Sequence, residues 1–123
     1  MISKHLRGLD VAMMETGYRY SELYWAGEDR NWDYAAYQLG KVRLTIELGI
    51  ERRPKRAASA QGFLNGAVPQ LGEAISKKDP ALFRQRFEVL TAHCNACHAM
   101  EQMAFVRVKP PGHRVSPVNF QSP

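Results

Sequence analysis

Apolar residues recur every three or four positions along most of this chain, in four segments separated by short polar breaks. That spacing is typical of one face of an α-helix, and no stretch alternates with period two for long enough to predict a strand. We predict helices over residues of about 2–26, 32–52, 55–77 and 80–103. The remaining residues, 104–123, are rich in proline and predict an extended tail.

Residues with strong end preferences mark the breaks. Asn31 before the second segment, and Asp79 followed by Pro80 before the fourth, are typical of helix N-termini. Gly27 is a suitable C-terminal stop for the first helix. Pro69 falls inside the third helical pattern, so we expect a kink or a local gap in hydrogen bonding there.

These elements predict the fold class. A chain of 123 residues fits one domain, here taken as residues 1–123. Four amphipathic helices of about 20 residues with short loops predict an all-α fold, an antiparallel up-down-up-down four-helix bundle with a proline-rich C-terminal tail. A three-helix bundle with a broken third element is the alternative.

Charge adds a preference for certain partners. The formal net charge is +5, and the one dense basic cluster is Arg52-Arg53-Pro54-Lys55-Arg56. This favours an acidic protein partner or a membrane surface, and it does not by itself predict nucleic-acid binding. No apolar run approaches the roughly 20 residues that cross a bilayer, so we expect no stable membrane span. Residues 1–17 lack the apolar region of a signal peptide.

The stretch TAHCNACH, residues 91–98, holds both cysteines and two of the four histidines. A thioredoxin-like dithiol stands at the start of a helix after a strand, whereas this pair lies late in a predicted helix. A zinc site needs four ligands, and only His5 and His113 remain elsewhere. The third interpretation is Cys-x-x-Cys-His, the attachment pattern of c-type haem.

The spacing of this pattern has a chemical reason. Each cysteine thiol adds across one vinyl group of the haem, so Cys94 and Cys97 must lie about one helical turn apart along one porphyrin edge. His98 then supplies an imidazole nitrogen to the iron. We therefore predict one haem c per chain. Such haems are attached outside the bacterial cytoplasmic membrane, so we expect a periplasmic or otherwise exported protein whose export signal has been removed.

A Cys94-Asn95-Ala96-Cys97-His98 motif on the last of four predicted helices resembles the class II c-type cytochromes, cytochrome c′ and its cytochrome c556-like relatives. The segment LYWAGEDRNWDYAAYQLGKVRLTIELGIERRP, residues 23–54, is also similar to small exported bacterial proteins with the same late motif. The resemblance implies that His98 is the proximal ligand and that the distal side faces the first helix. It also implies a possible homodimer built from the first two helices. The proline-rich tail departs from the usual class II ending.

The sequence leaves several candidates for the sixth ligand of the iron. Within the resemblance, an apolar distal residue leaves iron five-coordinate, and a methionine from the first helix completes six-coordination. Met13 lies on the predicted inward stripe, about 16 Å into helix one, while His98 lies about 8 Å before the end of helix four. Met14, rotated by about 100°, is the second choice. The ordinary alternative is that Met13 only fills the core.

The other methionines and histidines are weaker candidates for the sixth ligand. Met100 and Met103 follow His98 on its own helix and are not expected to cross to the distal face. His113 could fold back from the tail, while His93 and His5 are expected at the surface or the haem edge.

The ligand determines the function. Methionine ligation raises the reduction potential and keeps iron low-spin, so we expect electron transfer, with gas binding or sensing of nitric oxide or carbon monoxide as the alternative. An enzyme is not expected, because a catalytic haem needs a polar distal group and only Arg7 and Arg19 are candidates.

Two surface features bear on partners. The basic cluster at 52–56 connects helices two and three at the expected haem end, where it could pair with haem propionates or dock an acidic redox partner, unless it is only a solvated loop. Four aromatic residues near the end of helix one are expected in the core, with a subunit interface as the alternative: Tyr18, Tyr20, Tyr24 and Trp25.

Overall fold

The computed structural model describes residues 9–115, with side chains from residue 11 onward. The helices are α1 Leu9–Glu28, α2 Trp32–Arg52, α3 Ala57–Gly62, α4 Val68–Lys77 and α5 Pro80–Met100. A 3-10 turn Pro54–Arg56 precedes α3, and a π-helical turn Phe63–Ala67 joins α3 to α4. Residues 57–77 are thus one helical stretch, and residues 9–115 hold four such stretches and no strand. The predicted all-α class is confirmed.

The π turn explains how the third stretch accommodates Pro69. A proline inside a helix has no N–H to donate, and its ring crowds the carbonyl four residues back, here that of Asn65. The Val68 N–H instead bonds the carbonyl of Phe63, five residues back. The helix therefore widens for one turn immediately before the proline, and the predicted local irregularity is confirmed in this form.

Side-chain caps begin two of the helices as predicted. The Asn31 carboxamide oxygen accepts a hydrogen bond from the Tyr34 N–H at 3.3 Å, at the start of α2. The Asp79 carboxylate accepts from the Leu82 N–H at 3.1 Å, at the start of α5. Both bonds satisfy N–H groups that have no partner within the helix.

The predicted stop at Gly27 is wrong. Helix α1 continues to Glu28, and the left-handed residue that reverses the chain is Arg30, with φ of 59°. Gly27 is buried in the helix because the ring of Phe83 packs directly on its Cα. A Cβ at this position would lie 2.1 Å from a ring carbon of Phe83.

Two other ends differ from the prediction. Helix α5 ends at Met100, before the predicted residue 103, because Gln102 adopts a left-handed conformation with φ of 63°. The Met103 N–H then bonds back to the His98 carbonyl at 2.7 Å. The predicted start of the first helix, near residue 2, lies outside the described residues.

Hydrogen bonds between α1 and α2 pair early residues of one helix with late residues of the other. Thr16 and Glu22 of α1 bond Thr45 and Tyr34 of α2, at 2.7 and 2.6 Å. Residue numbers rise in one helix as they fall in the next. Between the third stretch and α5, the Ser59 hydroxyl bonds Glu101, and a Cβ at Gly62 would lie 3.1 Å from the His93 ring.

Buried apolar residues of all four stretches form one core. From α5 it receives Phe83, Phe87 and Leu90, and half-buried Cys94 packs against it. The apolar spacing predicts an inward stripe of Leu6, Leu9, Met13, Gly17, Tyr20 and Tyr24 on the first helix. From residue 11 onward, Tyr20 of this stripe is buried, Met13 and Tyr24 are half-buried, and Gly17 is exposed. The buried residues of α1 are Ala12, Thr16, Tyr20, Glu22, Leu23, Ala26 and Gly27. Within the described part of the chain, no helix is long and apolar enough to span a membrane.

Candidate cofactor-attachment site

Cys94 and Cys97 lie on successive turns near the end of α5 as free thiols, both half-buried. Burial, and secondarily the neighbouring Cys97, raises the pKa of the Cys94 thiol to about 12. Burial also raises the pKa of Cys97, with a contribution from the Glu101 carboxylate. Both sulfurs are therefore protonated at neutral pH.

Protonated thiols weigh against one of the three chemistries that the sequence allows. A redox-active dithiol needs a thiol whose pKa is lowered, so that a thiolate is available as nucleophile. Among residues 11–115, no group of three or more His, Cys, Asp or Glu side chains is placed to hold a metal ion.

His98, the residue after Cys97, has a defined ring tautomer. Its Nδ1 lies 2.8 Å from the backbone carbonyl oxygen of Val106. A carbonyl oxygen only accepts, so Nδ1 carries the hydrogen and donates it. The other ring nitrogen, Nε2, then has a lone pair available. In metal-binding histidines, a hydrogen bond at one ring nitrogen fixes the tautomer in the same way, so that the other nitrogen can bind the metal.

The chain after α5 turns back along that helix. Asn95 makes two hydrogen bonds to the backbone of Val108: its Nδ2 donates to the carbonyl at 3.0 Å, and its Oδ1 accepts from the N–H at 2.7 Å. Together with the Val106 contact, these bonds hold residues 103–108, which we name the return segment. It lies beside the Cys-x-x-Cys-His motif.

Further along, the tail reaches α1. The Arg114 guanidinium bonds the Asp29 carboxylate and lies over the Trp25 ring, 4.9 Å from its centroid. Asp29 follows Glu28, which pairs with Arg84 near the start of α5. His113, exposed beside Arg114, is thus near the start of α5, about 20 Å from His98 along the helix, and the two are not brought together.

The two methionines of α1 have different environments. Met13 is half-buried and packs against the core, whereas the Met14 side chain is 76% exposed. Met100 and Met103 are exposed. Only Met13 among these four has the burial expected of a distal ligand.

The remaining polar candidates lie elsewhere. Arg19 pairs with Glu15 at 3.5 Å and lies within 3.4 Å of the Gln38 carboxamide, so it serves the contact of α1 with α2. His93 is half-buried against Gly62 rather than at the surface. His5 and Arg7 lie outside the described residues.

The basic cluster does reach the end of α5 that carries the motif. Arg56 forms an ion pair with Glu101, and the Ser59 hydroxyl donates to the same carboxylate. The hydrogen bond from Ser59, followed by the hydrogen bond and the charge of Arg56, lowers the pKa of Glu101. Arg56 of the cluster therefore joins the third stretch to the end of α5.

Large apolar side chains lie exposed just after His98. They are Met100, Met103, Phe105 and Val106, and Phe105 is 80% exposed. Exposed apolar groups close together in a chain are typical of a surface that binds something.

Sequence reasoning missed the residues that fix His98 in place. The apolar-polar-apolar run Val106-Arg107-Val108 indicates an extended segment, but no sequence pattern shows that it returns to Asn95.

Comparison of the chain with protein-family models, with curated proteins and with solved structures found no match in any of the three. The resemblance to class II cytochromes therefore depends on the motif and the order of helices alone.

Proposed function

We propose that this protein is a monohaem c-type cytochrome that transfers electrons, with haem attached through Cys94 and Cys97 and with His98 as proximal ligand. The observation that carries the proposal is the hydrogen bond from His98 Nδ1 to the Val106 carbonyl. It leaves Nε2 as the free nitrogen directly after a pair of thiols with the spacing for haem attachment.

The residues present fit the group. Cys94 and Cys97 are three residues apart on α5, which corresponds to about 5 Å along the helix axis, and both are free thiols. Exposed Met100, Met103 and Phe105 offer apolar surface that a porphyrin face would cover. A bound haem supplies one-electron chemistry, while these side chains tether it, orient it and exclude water.

We infer that the four helical stretches form the antiparallel up-down-up-down bundle. The opposite order of contacts between α1 and α2, and between the third stretch and α5, supports this arrangement. Short connections of a few residues favour it independently.

The contacts between α1 and α5 support Met13 as sixth ligand. Tyr20 bonds Thr91 at 2.7 Å and Glu28 bonds Arg84 at 3.1 Å. Residue numbers therefore rise along α1 as they fall along α5, by nearly the same amount. Continued two turns toward the other end, this register brings Met13 to the level of His98. Half-buried Met13 is then the α1 residue across from the proximal histidine.

Two partner proposals follow from the surface. The cluster at residues 52–56 and the net charge of +5 suit an acidic redox partner, with docking that weakens as salt rises. Exposed Met14 and Tyr18 on α1, with Tyr37, Leu44 and Leu48 on α2, suit a second copy of the chain, which sedimentation would detect. Export from the cytoplasm follows from the attachment chemistry.

Covalent haem is the first test. The full chain is expressed with an export signal in cells that attach c-type haem, and the purified protein is extracted with acidified acetone. We expect haem to stay with the wild-type chain, and to leave a Cys94→Ser/Cys97→Ser variant. Haem extracted from the wild type would contradict the proposal.

A second measurement addresses the sixth ligand. We expect a low-spin spectrum in the oxidised and reduced protein, unchanged by carbon monoxide. A high-spin spectrum that carbon monoxide alters would replace electron transfer by gas binding.

A further inference from the structure

We propose that Asn95, the first of the two residues between the cysteines, is a positioning residue for His98. Its side chain holds the return segment so that the Val106 carbonyl accepts the Nδ1 hydrogen of the histidine. The functional consequence depends on the proposed haem, whereas the positioning itself does not.

The spacing of Asn95 and His98 on α5 matches the spacing of Val108 and Val106 on the return segment. Asn95 and His98 are three residues apart on α5, so they share a face of the helix about 5 Å apart along its axis. Val106 and Val108 are two residues apart, about 6–7 Å in an extended chain, and their carbonyls lie on the same edge. Asn95 bonds one of these residues and His98 bonds the other, at 2.7 to 3.0 Å.

The carboxamide of asparagine is suited to this role. It offers one donor and one acceptor in a plane, which match the carbonyl and the N–H of a single backbone residue. An aspartate could accept from the Val108 N–H but could not donate to its carbonyl. An alanine could do neither, and the N–H and carbonyl of Val108 would lose their partner.

Loss of the Asn95 bonds leaves the rest of the tail attached. The Met103 N–H still bonds the His98 carbonyl, and Arg114 still pairs with Asp29. Alanine also favours the helix more than asparagine does, so α5 remains formed. The expected effect is therefore confined to the backbone of Val108 and to the Val106–His98 contact.

That contact bears on the metal. A carbonyl that accepts from Nδ1 fixes the ring orientation and makes Nε2 a more basic ligand, which favours the oxidised iron. Without it, Nδ1 turns to water and the ring rotates more freely. The reduction potential should then rise.

The test compares Asn95→Ala and Asn95→Asp with wild type and with the control Asn65→Ala, which removes an exposed asparagine that bonds only Gln61 on its own stretch. Amide hydrogen exchange at Val108, the NMR signal of the His98 Nδ1 hydrogen and the midpoint potential are measured on the haem-loaded full chain. In Asn95→Ala we expect exchange at Val108 to be about tenfold faster or more, loss of the Nδ1 signal and a more positive potential. Asn95→Asp should keep part of the Val108 protection, and Asn65→Ala should change nothing.

An unchanged potential and Nδ1 signal in Asn95→Ala, with Val108 exchange increased, would overturn the positioning role. Unchanged Val108 exchange would overturn the contact itself. Haem retention separates this proposal from the previous one. If the wild type retains no haem, the proposed function fails, and the exchange and Nδ1 measurements on the haem-free chain still decide on Asn95.

Discussion

Neighbouring methionines at the start of α1 give a direct comparison of buried and exposed side chains. Met13 packs against the core, and the Met14 side chain is 76% exposed. On the proposed function, we expect Met13→Ala to convert a low-spin haem into a high-spin one, because the sixth ligand is removed. Optical and electron paramagnetic resonance spectra measure the change, and Met14→Ala is the matched control with an unaltered spectrum. A low-spin Met13→Ala protein would rule Met13 out as ligand.

Two glycines of α1 should respond in opposite directions to an added methyl group. A Cβ at Gly27 would lie 2.1 Å from Phe83, so we expect Gly27→Ala to destabilise the protein by about 1–3 kcal/mol through overpacking. Nothing lies within 4 Å of a Cβ at Gly17, so Gly17→Ala should stabilise it by about 0.5–1 kcal/mol. Urea unfolding of the variants measures both. Equal effects at the two sites would mean that Phe83 does not pack on Gly27.

At the scale of single residues, the sequence identifies chemistry with fixed spacing and misses contacts made over distance. On the proposed function, Cys94, Cys97 and His98 stand out because attachment to one porphyrin edge would dictate their separation. Asn95 does not, because its role depends on where Val108 lies thirteen residues later, and that position depends on the fold.

At the scale of helices, the N-terminal caps make a measurable contribution to the free energy of unfolding. We expect Asp79→Ala to cost about 1 kcal/mol, because the Leu82 N–H at the start of α5 loses its acceptor. Asp79→Asn keeps an acceptor at that position and should lose clearly less. Thermal or urea unfolding compares the two, and equal losses would show that the side-chain bond does not stabilise the helix.

The helix boundaries follow from local chemistry where a side chain or a ring decides them. Asn31, Asp79 and Pro69 act within one turn of themselves, and their effects were predicted correctly. The buried face of α1 was predicted less well. Gly17 was expected on the inward stripe and is exposed, whereas Thr16 was not expected there and is buried. A hydroxyl counts as polar in a sequence pattern, yet Thr16 is satisfied inside by Thr45 of α2 and by the Ala12 carbonyl.

For the whole molecule, one carboxylate links the third stretch to the end of α5. Glu101 has a folded-state pKa below its ordinary value of 4.5, because Ser59 and Arg56 bond the charged form. Its contribution to stability is therefore complete above pH 4.5 and is lost as the pH falls through the lower folded-state pKa. We expect wild type to exceed Glu101→Gln in melting temperature at neutral pH, and the difference to shrink in acid.

Glu73→Gln serves as the control, since Glu73 makes only an exposed pair with Lys77 one turn away. Its difference from wild type should be small at every pH. A gap between wild type and Glu101→Gln that persists unchanged into strong acid would show that the charged form of Glu101 is not what joins the two elements.

The all-α class follows from the spacing of apolar residues. The return of the tail does not, because Arg114 meets Asp29 across 85 residues of chain. Nothing near either residue in the sequence signals the pairing.

Cys94 packs against the core and Cys97 does not, which affects how readily the two thiols react in the folded protein. Cys94 packs against the core and holds its proton up to a pKa of about 12, so in the closed protein it is a poor nucleophile. Both sulfurs are half-buried in the folded chain and fully accessible in the unfolded one. On the proposed function, we therefore expect haem attachment to be faster on the unfolded chain than on the folded one.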